Sequence, residues 1–121
     1  MATILVIDDD PVVCRLASHI LELAGYSVVT LNNGREALHA LEASTPDLVI
    51  TDIMMPDMNG IELLQHIRAD RRWADLPVIV LTARGSMDDR RKVAEAGTIY
   101  FLTKPFSSAQ LVDQVKRLCP P

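Results

Sequence analysis

Five short apolar runs recur along the chain, at Thr3–Ile7 (TILVI), Ser27–Leu31 (SVVTL) and residues 48–51, 77–81 and 99–102. Each is rich in β-branched residues and bounded by polar or turn-forming positions, the pattern of strands buried on both faces rather than of half-exposed ones. Between them the apolar residues switch to helical spacing. Val13, Leu16, Ala17, Ile20 and Ala24 follow Asp10-Pro11, a carboxylate N-cap with proline in the first helical position, and Gly25 closes that helix. Ala37, Leu38 and Leu41 form the stripe of a second helix opened by Asn33-Gly34, and Ile61, Leu64 and Ile67 that of a third opened by Gly60. A fourth is expected over residues 86–96, charged from Asp88 to Lys92, thinly anchored by Val93 and Ala94, and stopped at Gly97. The last runs from Ser107 with Leu111, Val112, Val115 and Leu118 inward. Strict alternation of five strands and five helices predicts right-handed crossovers and a doubly wound α/β fold, a parallel sheet with helices on both faces.

In such sheets ligands gather outside the C-terminal ends of the strands. The residues at those ends are Asp8 and Asp9 after the first strand, Asp52 after the third, Thr82 after the fourth and Lys104 after the fifth. Pro56 and Asn59-Gly60 force the chain to turn just beyond Asp52. Three carboxylates on one rim repel by roughly 4 kcal/mol per pair at about 4 Å and an effective dielectric near 20, so they call for a counter-charge. All-oxygen ligation without His or Cys favours Mg²⁺, or Mn²⁺, over zinc or copper. An aspartate in that setting can also be a nucleophile toward phosphorus once a metal and a cation neutralise the transferring group. Lys104 offers the cation and Thr82 a hydroxyl donor. Asp10 is explained by capping.

Composition narrows the field. The 121 residues suit one domain spanning 1–121, and a balance of 16 acids against 12 bases, net charge −4, provides no basic footprint for nucleic acid or an anionic membrane. The apolar runs are too short to span a bilayer and no leader precedes them, so a soluble cytoplasmic location is expected. Cys14 and Cys119 lack metal-ligand spacing and read as reduced thiols. His19, His39 and His66 have no ligand partner four residues away and read as surface residues, while Trp73 is expected to pack locally.

Taken together, VIDDDP, ITDIMMPDMNG, VIVLTA, the Gly97 helix stop and FLTKPF resemble the receiver domain of two-component response regulators over essentially the whole chain. The resemblance implies a CheY-like, flavodoxin-like three-layer (βα)5 sandwich with strand order 2-1-3-4-5. It further implies that Asp52 is the phosphoacceptor, Asp9 a direct Mg²⁺ ligand, Asp8 a ligand through water, and Met54 a ligand through its backbone carbonyl. Thr82 and Lys104 would hold the phosphoryl oxygens, and Phe101 would be the aromatic switch that follows Thr82. The implied partners are a sensor histidine kinase or phosphotransfer protein as donor and a downstream effector or fused output domain. A second copy would dock through the fourth helix, fifth strand and fifth helix. The chain would then be a signalling phosphoacceptor rather than a turnover enzyme. A haloacid-dehalogenase-like aspartyl-phosphate phosphatase is the alternative, but it wants a second catalytic aspartate where Met54 stands. A flavodoxin-like cofactor binder would want a Gly-rich phosphate loop, which follows none of the strands.

Overall fold

The computed structural model describes residues 1–53, 55, 58–83 and 100–121. The helix expected over residues 86–96, its Gly97 stop, Pro56 and the Met54 carbonyl lie outside the described residues. Strands β1 (Thr3–Ile7), β2 (Ser27–Leu31), β3 (Leu48–Asp52), β4 (Val78–Ala83) and β5 (Tyr100–Lys104) form one parallel sheet in the order β2-β1-β3-β4-β5. Helices α1 (Pro11–Leu23), α2 (Gly34–Ala43), α3 (Gly60–Ala69) and the C-terminal α4 (Ser108–Leu118) cover it, with a short 3-10 turn at Arg71–Trp73. The sheet reverses its direction of growth at β1, which has β2 on one side and β3 on the other. The rule for doubly wound sheets therefore places a ligand crevice at the exits of β1 and β3.

Side-chain alternation along these strands divides the core in two. Ile4, Val6, Leu48, Ile50, Ile79 and Leu81 pack with Cys14, Ala17, Ile20 and Leu21 of α1 and Leu111 and Val115 of α4. Their neighbours Leu5, Ile7, Val49, Val78 and Val80 pack with Ala37 and Leu41 of α2 and Leu63, Leu64 and Ile67 of α3. Because both faces are covered, the central strands β1, β3 and β4 carry almost unbroken apolar runs, while the edge strands β2 and β5, against the expectation of burial on both faces, leave Val29 and Tyr100 exposed. Each described helix starts on a side-chain cap. Asp10, Asn33 and Asn59 accept from the backbone N–H of Val12, Glu36 and Glu62 at 2.9, 2.8 and 2.9 Å. Ser107 and Gln110 form a reciprocal capping box.

The structure corrects several details. Leu16 is half exposed, because the buried stripe of α1 is centred on Cys14, Ala17 and Leu21 and leaves position 16 on the flank. Leu63, unassigned from periodicity, is fully buried beside Leu64. Strand β4 runs on through Thr82 to Ala83, and β5 runs to Lys104, so Thr82 and Lys104 belong to strands instead of following them. Trp73 does pack locally: it is buried, its indole N–H donates to Thr45 Oγ1 at 3.3 Å, and the Arg72 guanidinium lies 4.4 Å over its ring. Cys14 and Cys119 are both buried free thiols, and burial raises the pKa of each.

The chain's last helix is tied back to the α1–β2 turn, where Gly25 takes a positive φ and the buried Tyr26 hydroxyl donates to the Cys119 carbonyl at 2.6 Å. Tyr26→Phe leaves that buried carbonyl without its donor and is expected to cost about 1 to 2 kcal/mol. The check is urea denaturation, which should show a lower midpoint at an unchanged slope.

Candidate functional site

Register delivers the acids to one place. Ile7 pairs with Thr51, so the residues that follow, Asp8 and Asp52, leave adjacent strands side by side. Asp52 pairs in turn with Leu81, and Ala83 with Lys104, which brings the ends of β4 and β5 to the same rim. Asp8, Asp9 and Asp52 each offer a carboxylate oxygen within 4.8 Å of the others. Asp8 is fully buried, Asp52 half-buried and Asp9 exposed, so the cluster opens to solvent on the Asp9 side. A divalent cation with retained waters suits an all-carboxylate set of this size and partial exposure.

Lys104 reaches back over the rim to bridge the acids. Its ammonium donates to Asp8 Oδ2 at 2.8 Å and lies 3.3 Å from Asp52 Oδ2. The remaining Asp8 oxygen accepts from the Asp10 backbone N–H at 2.9 Å, and Asp52 Oδ1 accepts from the Ile53 N–H at 2.8 Å. One cation thus serves two carboxylates unequally. Burial and the Asp8 charge push the Asp52 carboxyl above its ordinary 3.8, and Lys104 only partly offsets them. Burial alone would lower the Lys104 pKa, but the hydrogen bond to Asp8 and the two negative charges raise it above 10.5.

Of the residues singled out by sequence, Asp8, Asp9, Asp52 and Lys104 meet directly. Thr82 lies one residue beyond Leu81, the partner of Asp52, and its buried hydroxyl finds no hydrogen-bond partner among the described residues. A buried hydroxyl without a partner is costly in an ordinary strand. Asp10 spends its carboxylate on capping α1, as its place before proline implied. Phe101 is half-buried in β5 opposite Val80, and its carbonyl accepts from the Gln114 side chain of α4 at 3.2 Å. Sequence reading missed two supporting residues. The Cys14 thiol donates to the Asp8 carbonyl at 3.3 Å from beneath the site. Gly60 sits directly against the Asp52–Ile53 backbone, and its only sequence signal was a turn dipeptide.

Comparison with known proteins agrees with this geometry. The model of the response regulator receiver domain family matches residues 4–116. The DNA-binding dual master transcriptional regulator RpaA of Synechocystis sp. is 38% identical over 118 residues, 98% of this chain and 49% of its own length. The chain spans about half the length of RpaA and of other transcriptional regulators it matches. Among solved structures, the chemotaxis response regulator CheY4 of Vibrio cholerae superposes with a TM-score of 0.92 at 32% identity, covering 98% of both chains. The receiver domain of the sensor histidine kinase PA1611 from Pseudomonas aeruginosa gives 0.89 at 30% identity, covering 97% of this chain and 96% of its own. That structure holds a magnesium ion coordinated in its active site cleft. The chain belongs to the receiver domain family of two-component response regulators, a class of signalling proteins. The phosphatase alternative finds no support in these relatives.

The shifted carboxyl has a consequence for stability. A folded-state pKa above the unfolded value means that the folded protein holds more protons, so this group's contribution falls as pH rises from about 3.8 through the raised value. In EDTA, Asp52→Asn is therefore expected to be more stable than the wild type at neutral pH, with the gap closing as pH falls toward 3.8. Lys104→Met leaves both acids without their cation and is expected to lose about 2 kcal/mol at neutral pH, a buried-pair cost reduced for partial exposure. Urea denaturation across a pH series checks both.

Proposed function

We propose that residues 1–121 act as one receiver unit whose Asp52 carboxylate accepts a phosphoryl group from a phosphohistidine on a sensor histidine kinase or phosphotransfer protein. The observation that carries the proposal is the convergence of Asp8, Asp9 and Asp52 within 4.8 Å under a lysine that bridges two of them. A carboxylate oxygen of Asp52 attacks phosphorus, the phosphorus–nitrogen bond breaks, and the imidazole leaves with the electron pair. Mg²⁺, for which Mn²⁺ can substitute, supplies neutralisation of the approaching anions. Asp9 and Asp52 would hold it directly and Asp8 through water, and the family resemblance adds the backbone carbonyl of Met54 as a further ligand.

The chain's own residues do the rest. The Ile53 N–H fixes one oxygen of Asp52 and so the orientation of the nucleophile. Lys104 exchanges part of its hold on the acids for a phosphoryl oxygen, and the Thr82 hydroxyl, without a partner among the described residues, donates to another. Both contacts exist only once phosphorus is on Asp52, and such differential interaction is what shifts a two-state equilibrium. Phe101, on the strand beside Thr82, follows as the switch. The readout passes to a downstream effector or a fused output domain in the cytoplasm, with the face made by the helix expected over residues 86–96, β5 and the C-terminal helix as the dimer contact.

Incubation with Mg²⁺ and acetyl phosphate is expected to add one phosphoryl group by intact mass, and EDTA should abolish the gain. A gain that persists in Asp52→Asn defeats the assignment. Thr82→Ala should still be modified on Asp52, but about a hundredfold more slowly, the usual loss when one donor to a developing oxyanion is removed.

A further inference from the structure

The acceptor's own main chain is pressed against the first residue of α3. The Gly60 N–H donates to the Ile53 carbonyl at 2.8 Å, closing the β3 exit onto the helix start that Asn59 caps. A Cβ on Gly60 would overlap the Asp52 carbonyl oxygen and lie 2.9 Å from Ile53 Cα and 3.0 Å from the Asp52 carbonyl carbon. All three are backbone atoms, so no rotamer change relieves the clash. The Asp52 carbonyl is further held by the Thr51 hydroxyl at 3.0 Å, and Thr51 is fully buried. The glycine is not required for its conformation, since the positive φ among the described glycines belongs to Gly25. What Gly60 provides is space.

Gly34, the first residue of α2, is a natural comparison. A Cβ there would sit 3.0 Å from the Met58 side chain and carbonyl, a milder contact than that at Gly60 and one that does not involve the Asp52–Ile53 peptide. Both positions begin a helix, and both are buried. They differ in what they touch. The Asp52–Ile53 peptide sets the direction of the Asp52 side chain, and its N–H binds one of that side chain's oxygens. Displacing the peptide moves the carboxylate relative to Asp8 and Lys104.

We infer that Gly60 is a positioning residue for the acceptor: its missing side chain lets α3 clamp the Asp52–Ile53 peptide and so fixes where the Asp52 carboxylate stands. The inference rests on the reading of Asp52 as acceptor and metal ligand. Site carboxylates need placement to within about half an ångström, and backbone displacement by a methyl group exceeds that tolerance.

The test compares Gly60→Ala, Gly34→Ala and wild type, each first shown to unfold cooperatively in urea. Titration with MgCl2 followed by backbone amide shifts should give about tenfold weaker Mg²⁺ binding for Gly60→Ala. Its modification by acetyl phosphate at saturating Mg²⁺ should be about a hundredfold slower. Gly34→Ala should match the wild type in both. A folded Gly60→Ala with wild-type affinity and rate overturns the inference, as does an equal loss in Gly34→Ala. If Gly60→Ala does not fold, Asn59→Ala decides: it releases the cap that holds the α3 start without adding an atom near Asp52. Weaker Mg²⁺ binding then supports the clamp, and wild-type affinity overturns it. Wild-type protein that gains no phosphoryl group defeats the acceptor reading itself, and the Mg²⁺ arm still judges Gly60.

Discussion

Crowded like charge at the sheet's C-terminal rim is the constraint from which the rest follows. Asp8 is fully buried and Asp52 half-buried, and together with Asp9 they offer oxygens within 4.8 Å of one another. Left alone, such a cluster would destabilise the fold by several kcal/mol. Lys104 relieves it only in part, favouring Asp8 at 2.8 Å over Asp52 at 3.3 Å, while burial and then the Asp8 charge raise the pKa of Asp52. The residual electrostatic demand suits the rim to a divalent cation.

The scaffold can hold that tension because the sheet beneath it is packed on both faces. Strands β1, β3 and β4 contribute fully buried residues to both core layers, and their exits are therefore set by interlocking side chains rather than by loop conformation. Rigid strand ends also explain how a small event at the rim could be transmitted. Thr82 and Lys104 lie within the strands β4 and β5, not on loops, so a pull on either acts on an element whose other residues are embedded in the core. The Gln114 hydrogen bond to the Phe101 carbonyl extends that connection from β5 to α4.

Much of this was legible in the sequence. The five apolar runs, the Asp10 cap and the acids at the strand exits are local signals, because β-branched runs, side-chain caps and glycine stops act over a few residues. Their alternation implied the parallel sheet and the rim on which Asp8, Asp9, Asp52, Thr82 and Lys104 would assemble. Errors fell where neighbours decide. Helical spacing alone could not tell that Leu16 stays on the flank while Leu63 is buried, since the orientation of a helix is chosen by what it packs against. The ends of β4 and β5 were placed too early because pairing with a partner strand, not local propensity, extends a strand.

What the sequence determined by itself was the list of chemical groups and the order in which strands would deliver them. Only the tertiary structure decided their relations: that Lys104 sides with Asp8 over Asp52, that the Thr82 hydroxyl is buried without a partner among the described residues, and that Gly60 stands against the Asp52 backbone. These are distances between residues far apart in the chain. They depend on register, burial and the sub-ångström approach of backbones, which arise only when the whole sheet and its covering helices close together.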